Sequence, residues 1–156
     1  FPVFFKQFWS AGAEASVSTF RLGVLSGLGS LVIALAAPLL GAMADRGGAR
    51  VRLLVFFTLI GAAATAGLYF IGEGNWVGAA LVYSLAGIGF WGGVIFNDAL
   101  LVDVADPPQY DLVSAFGYSL GYAGGGLLLL LNVAMVTKPS AFGLADASQA
   151  VRVSFL

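Results

Sequence analysis

Residues 22–44 form an uncharged stretch long enough to cross a membrane, and it reads LGVLSGLGSLVIALAAPLLGAMA. About 20 helical residues cross the hydrocarbon core of a bilayer, which is about 30 Å thick. Three further stretches, residues 53–72, 74–97 and 112–137, are also free of charge. Inside a bilayer such segments must be helical, because open strands would leave backbone groups unpaired. The sequence therefore predicts an all-α membrane protein with four complete transmembrane helices, near residues 18–44, 52–72, 75–104 and 112–137.

The composition of the 156 residues supports this prediction. The chain is 60% hydrophobic and only 10% charged, whereas a soluble domain averages about 25% charged residues. Net charge is -1 and no basic run is present, so we expect no nucleic-acid partner. Cysteine and histidine are both absent from the sequence, which removes disulfides, thiolate nucleophiles and the usual zinc sites. We expect no catalytic residue, no metal ligand and no cofactor, and the family resemblance given below implies that the chain is not an enzyme.

The two ends of the chain each resemble part of a further span. Residues 1–9 and 151–156 are apolar and too short to cross a bilayer. The first residue is not Met, so we expect a fragment of something longer. The loop at residues 45–52 carries Arg46, Arg50 and Arg52, while residues 73–76 carry no basic residue. This contrast favours a cytoplasmic loop at residues 45–52, although the total count of basic residues favours the opposite side.

A short motif follows the first full span, where residues 41–50 read GAMADRGGAR. Glycine permits a close helix approach and a tight turn, while Asp and Arg can pair or interact with neighbouring helix ends. The stretch resembles the signature loop of the major facilitator superfamily. The matching residues are Gly41, Asp45, Arg46, Gly48 and Arg50, whereas Gly47 and Ala49 depart from the pattern.

Two further stretches narrow the resemblance. Residues 96–101 read FNDALL and residues 114–126 read SAFGYSLGYAGGG. Both are similar to the vacuole effluxer family, the autophagy-related branch of the superfamily, although Asp98 and Val102 depart from its pattern. Residues 1–6 resemble the end of its first helix, and residues 152–156 resemble the start of its sixth. The resemblance implies that residues 1–156 form a partial N-terminal six-helix bundle, whose partner is a missing C-terminal six-helix half.

This family resemblance implies secondary active transport of small solutes by alternating access. Amino acid efflux is the first expectation for the substrate, and a multi-pass protein of the bacterial inner membrane is the expected location. Two alternatives remain open from the residues alone. One is a magnesium-dependent membrane-bound transferase, and the other is a non-catalytic membrane assembly subunit. The transferase would use the acids near one membrane face, Asp98, Asp103, Asp106 and Asp111.

Candidate residues fall into three groups. Asp103 or Asp98 is expected to pair with Arg46 or Arg50 at the cytoplasmic span ends. Glycines at four-residue spacing form a stripe that is expected to pack against another helix. The stripe consists of Gly117, Gly121 and Gly125. The candidate residues facing it are Gly23, Gly27, Gly89 and Gly93. Polar-capable residues within the spans are candidates for lining a substrate path, namely Ser26, Ser30, Trp91 and Tyr122. The second full span has few polar residues and is expected to be the most lipid-exposed.

Overall fold

The computed structural model describes residues 2–44 and 49–156. In these ranges, four helices are long and apolar enough to cross a membrane, over Ala15–Met43, Ala49–Phe70, Trp76–Val104 and Pro107–Thr137. The predicted all-α class with four complete spans is therefore confirmed. The α-helices in chain order are α1 Pro2–Phe4, α2 Ala15–Ala44, α3 Ala49–Gly67, α4 Trp76–Ala99, α5 Leu101–Val104, α6 Tyr110–Thr137 and α7 Ala147–Val153.

Local sequence explains where several helices begin and end. Gly74 adopts a φ of 75°, which glycine tolerates well, in the turn between α3 and α4. The Asn75 side chain then caps α4 by accepting a hydrogen bond from the Gly78 N–H over 3.0 Å. Asp106 and Pro107 separate α5 from α6, because proline disfavours a helical conformation in the residue before it. Asp146 caps α7 by accepting from the Gln149 N–H over 2.7 Å.

Helix α4 lies between α2 and α3 and contacts both. A Cβ added to Gly89 would lie 2.5 Å from the Gly61 Cα and 2.8 Å from the Phe57 carbonyl oxygen. The α3 and α4 backbones therefore approach as closely as two glycines allow. On the α2 side, the Ser84 hydroxyl donates to the Leu25 carbonyl over 3.1 Å and lies 2.9 Å from the carbonyl of Ala80 in its own helix. Helix α4 is thus the central helix of the described bundle.

The expectation that the second full span is the most lipid-exposed stays a prediction, and within the described residues this span is not the least buried of the four. Helix α3 buries a larger share of its span than α2 or α6 does. The reason is the glycine contact with α4, which brings one side of α3 against a neighbouring backbone. The scarcity of polar residues in α3 indicated lipid exposure, but apolar side chains suit a helix contact equally well.

One end of the bundle, which we call the aromatic end, holds a cluster of large side chains. Its members are Phe4, Phe5, Phe8, Trp9, Tyr69, Trp76, Arg21, Arg152 and Phe155. Trp9 is fully buried, stacks on Phe155 with ring centroids 5.8 Å apart, and donates from Nε1 to the Ile71 carbonyl over 3.2 Å. Arg152 of α7 donates to the Tyr69 carbonyl over 2.6 Å and 3.2 Å. Segments far apart in sequence therefore meet at this end.

Helix α6 is attached mainly near its ends. It contacts α5 at its beginning and α7 at its other end, and it makes little contact with α4. Residues 115–131 are all exposed. The described bundle thus consists of a packed group, α2 to α4, and a long helix whose middle lies apart from it.

Candidate functional site

The end opposite the aromatic end carries polar contacts between helices, and we call it the ionic end. It comprises Arg50, Asp98, Asp103 and Tyr118. Helix α3 runs between the two ends, beginning at the ionic end with Ala49 and finishing near Tyr69. Arg50 lies in the first turn of α3, and Asp103 lies in α5, which follows α4. The short α4–α5–α6 connection therefore brings acids beside the start of α3.

The central contact of the ionic end joins Arg50 to Asp103. The Arg50 Nη1 lies 2.6 Å from the Asp103 Oδ1, and the Asp103 side chain is 48% exposed. This contact is one of the pairings expected from the sequence. Exposed ion pairs contribute about 0.2–1 kcal/mol each, so this one fixes geometry more than it stabilises the fold.

A second contact at this end joins α4 to α6. The Tyr118 hydroxyl donates to the Asp98 Oδ1 over 3.2 Å. The carboxylate of Asp98, which departs from the family pattern, thus has a partner on another helix. This hydrogen bond connects α6 to the packed group near the ionic end.

The signature-loop residues are only partly described. Gly41 lies near the end of α2 and is half-buried, and Arg50 makes the ion pair above. Asp45, Arg46 and Gly48 lie outside the described residues. The possible pairings of Arg46 with Asp98 or Asp103 therefore stay predictions.

The acids near the ionic end do not gather into one cluster. Among residues 2–44 and 49–156, no group of three or more His, Cys, Asp or Glu side chains is placed to hold a metal ion. The transferase alternative requires such a gathering of carboxylates around magnesium. Asp98 and Asp103 instead contact Tyr118 and Arg50.

The structure does not bring the four candidate substrate-lining residues together. Ser26 lines a cavity between α2 and the end of the first helix, and none of the other three lines it. Ser30 is exposed on α2, Trp91 is 52% exposed on α4, and Tyr122 is 79% exposed on α6. Sequence reasoning missed Lys6 and Ser18, which share the cavity with Ser26. The available signal was Lys6 itself, a charge in the otherwise uncharged residues 1–9.

The glycine stripe of α6 makes no close contact with the described part of the chain. A Cβ added to Gly117, Gly121 or Gly125 would meet no described atom within 4 Å, and the same holds for Gly23 and Gly27. Close glycine contacts occur on α3 and α4 instead, at Gly61 and Gly89, and a Cβ on Gly92 would overlap the Phe57 ring. Of the residues proposed to face the stripe, Gly89 packs closely, but against α3. The packing role of the α6 stripe stays a prediction.

Four apolar spans with polar contacts at one end define a multi-pass helical membrane protein. Comparison with known proteins specifies the class further. The model of the family described as "Vacuole effluxer Atg22 like" matches residues 9–156, so the chain belongs to that family. The resemblance to this branch of the major facilitator superfamily is thereby confirmed.

A relative and the solved structures complete the comparison. The chain is 35% identical over 157 residues to the "Uncharacterized MFS-type transporter YxiO" of Bacillus subtilis. The alignment covers 99% of this chain and 37% of that relative, so the chain spans well under half of the relative's length. No solved structure matches the chain.

Proposed function

We propose that the protein containing this chain is a secondary active transporter of small solutes. The observation that carries the proposal is the family match, which covers residues 9–156 and so nearly the whole chain. The similarity to an MFS-type transporter over 99% of the chain supports the same activity. Transport in this class of protein proceeds largely by rocking two helix bundles around a central site.

In this proposal the chain supplies one bundle only. Residues 1–156 form the part from the end of helix one to the start of helix six, and a C-terminal half of six helices forms the other bundle. Two observations support this division. The chain spans 37% of its relative, and α6 exposes an uninterrupted run of residues, 115–131, in which Tyr118 hydrogen-bonds to Asp98 of α4. Large exposed apolar surfaces mark either lipid contact or a protein interface.

Amino acids are the proposed substrates and efflux is the proposed direction, as the family resemblance implies. The proposed location is the inner (plasma) membrane of a bacterium, and a bacterial source is supported by the similarity to a Bacillus subtilis protein. The Arg50–Asp103 pair would open and close at the face where the signature loop lies. Because exposed pairs contribute little energy, such a contact suits a step that must reverse in every cycle.

Reconstitution into liposomes tests this function. The full-length protein and residues 1–156 alone are each reconstituted, and uptake of labelled leucine, labelled tyrosine and a non-amino-acid solute is measured. We expect saturable amino acid uptake by the full-length protein and none by the shorter chain, since a path between two bundles needs both. Absence of uptake of every solute by the full-length protein would contradict the transporter proposal. Saturable uptake by residues 1–156 that is lost in Tyr122→Phe would instead indicate a half-sized carrier.

A further inference from the structure

A cavity of about 440 Å³ lies along the contact between α3 and α4, and we call it the α3–α4 cavity. Its volume falls within the range of about 300–1,000 Å³ that is typical of small-molecule sites. On α3 the cavity extends from Leu54 to Thr65, which is a helical rise of about 16 Å. Tyr118 of α6 also lines it, so three helices contribute to its wall.

Most of the wall of the α3–α4 cavity is apolar, and small residues make the space between the helices. They include Gly61 and Ala62 of α3 and Ala86 and Gly93 of α4. A Cβ added to Gly93 would lie 3.6 Å from the Thr58 hydroxyl, its nearest described neighbour, which is an ordinary contact distance. The two helices therefore leave room at this level for the apolar part of a ligand.

Oxygen atoms line the cavity where it approaches the ionic end. The Tyr118 hydroxyl donates its hydrogen to the Asp98 Oδ1 over 3.2 Å, so the lone pairs of the Tyr118 oxygen stay available. Asn97 and Thr58 line the same cavity, and neither side chain makes a hydrogen bond to another described residue. Each of these three groups can accept a hydrogen bond. This part of the wall therefore suits a ligand that donates hydrogen bonds.

The charge beside these oxygens is negative. No Lys or Arg lines the cavity, and Arg50, one turn before Leu54 on α3, lies 2.6 Å from Asp103. Asp98 makes no ion pair within residues 2–44 and 49–156. It also lies in the last turn of α4, where the helix dipole favours a cation. A carboxylate within a membrane span is a functional-site candidate in general, and Asp98 lies within the span Trp76–Val104.

We propose that the α3–α4 cavity binds an organic cation, namely a protonated amine with an apolar body. Asp98 supplies the opposite charge, and the oxygens of Tyr118 and Asn97 accept hydrogen bonds from the ammonium. The apolar body lies between α3 and α4, where the Phe90 side chain also lines the cavity. This assignment goes beyond the proposed transport of amino acids and does not require it. The carboxylate of an amino acid would approach the like charge of Asp98, which disfavours binding.

The test measures binding by the full-length protein in phosphatidylcholine nanodiscs, using isothermal titration calorimetry. Heats from empty nanodiscs are subtracted, because amphiphilic probes also enter lipid. The probes share one phenylbutyl body and differ in the charge of the head group, and they are 4-phenylbutylamine, 4-phenylbutan-1-ol and 4-phenylbutanoate. We expect the amine to bind at least about tenfold more tightly than the alcohol, because its hydrogen bonds are charge-assisted. The carboxylate should bind more weakly than the alcohol.

Two variants separate the charge from the apolar space. Asp98→Asn keeps the shape of the side chain and an acceptor for Tyr118 but removes the charge. It should weaken amine binding by about tenfold or more and leave alcohol binding within about twofold. Ala62→Phe places a ring in the apolar part of the cavity and should weaken both probes. Asp111→Asn is the matched control, because Asp111 is an exposed acid of α6 that does not line the cavity, and it should change neither affinity.

Several results would overturn the assignment. Equal affinities for the amine and the alcohol would do so, as would amine binding by Asp98→Asn within about twofold of the unaltered protein. Unchanged amine binding by Ala62→Phe would place the amine elsewhere. Failure of the amine to bind at millimolar concentration would show that lipid or helices outside residues 1–156 fill the cavity. Size-exclusion profiles and the retained alcohol binding of Asp98→Asn distinguish a lost charge from a misfolded variant.

Two further outcomes distinguish the fate of this proposal from that of the transporter. If L-leucine competes with the amine for the cavity, the cavity is an amino acid site, and the amine assignment fails while the transporter proposal stands. Amine binding that depends on Asp98, found in a full-length protein without any amino acid uptake, supports the cavity assignment and counts against amino acid transport.

Discussion

Helices α4 and α6 make an instructive comparison, because both are long, apolar and rich in glycine. On α4, Gly89 and Gly92 are buried, and Gly89 lies directly against the α3 backbone. On α6, Gly117, Gly121 and Gly125 are exposed, and their faces meet no described atom. Glycine spacing alone thus permits close packing without showing which helix packs. Close packing also depends on the neighbouring helix, and α3 contributes a glycine of its own, Gly61, to the contact with α4.

The largest expected effect comes from making the same substitution on the two helices. Gly89→Ala should destabilise the protein by about 3 kcal/mol, because the new Cβ would overlap the α3 backbone, which cannot move aside as a side chain does. In residues 1–156 without the proposed second half, Gly121→Ala should instead stabilise the chain by about 0.5–1 kcal/mol, since alanine favours the helix and no described atom lies within 4 Å of the new Cβ. Thermal unfolding in detergent measures both. Equal effects of the same sign would show that the two helices do not differ in packing.

The second-largest expected change in stability concerns α7, which attaches the end of α6 at the aromatic end. Arg152→Met keeps much of the aliphatic stem but removes the two hydrogen bonds to the Tyr69 carbonyl. We expect a loss of about 2 kcal/mol, as for other hydrogen bonds from charged groups, and faster hydrogen exchange in α7 and the end of α6. Lys138→Met, at an exposed position between the same helices, serves as the control. Unchanged exchange in α7 would show that Arg152 does not hold it.

The smallest effect concerns the direct link between the two helices. Tyr118→Phe removes the hydrogen bond to Asp98 and leaves the ring in place. We expect a fall in melting temperature smaller than that of Arg152→Met, because a hydrogen bond at an exposed site exchanges for other polar contacts. Tyr122→Phe, on the next turn of α6 and 79% exposed, should change nothing measurable. A fall in melting temperature that is equal for both variants would contradict a specific link at Tyr118.

The sequence predicted the four spans well, and the reason is physical. Charges are expensive in hydrocarbon, so the uncharged stretches fix each span to within a few residues. The side of each helix that packs against a neighbouring helix was not predictable in the same way. Gly61 and Gly117 both lie in uncharged stretches of their spans, and only the approach of α4 makes Gly61 a contact.

The candidate sites were predictable in part for similar reasons. The Arg50–Asp103 contact follows from charges at neighbouring span ends, which have few other partners. The cavity that Lys6, Ser18 and Ser26 share was not predictable in this way, because these residues become neighbours only after the first helix folds back beside α2. The four expected lining residues were chosen by depth in the membrane alone. Depth does not specify the direction in which a side chain points.

Phe4 contacts Phe155, and their ring centroids lie 6.1 Å apart. This contact has a practical consequence for spectroscopy. Because the chain contains no cysteine, introduced thiols at chosen positions would be the only ones within these residues. Val3 and Leu156 lie beside the aromatic end and are 68% and 72% exposed, so they would accept spin labels or fluorophores without disturbing buried contacts. A labelled pair at these positions would act as an internal ruler for the first and last helical segments, read out in native lipid.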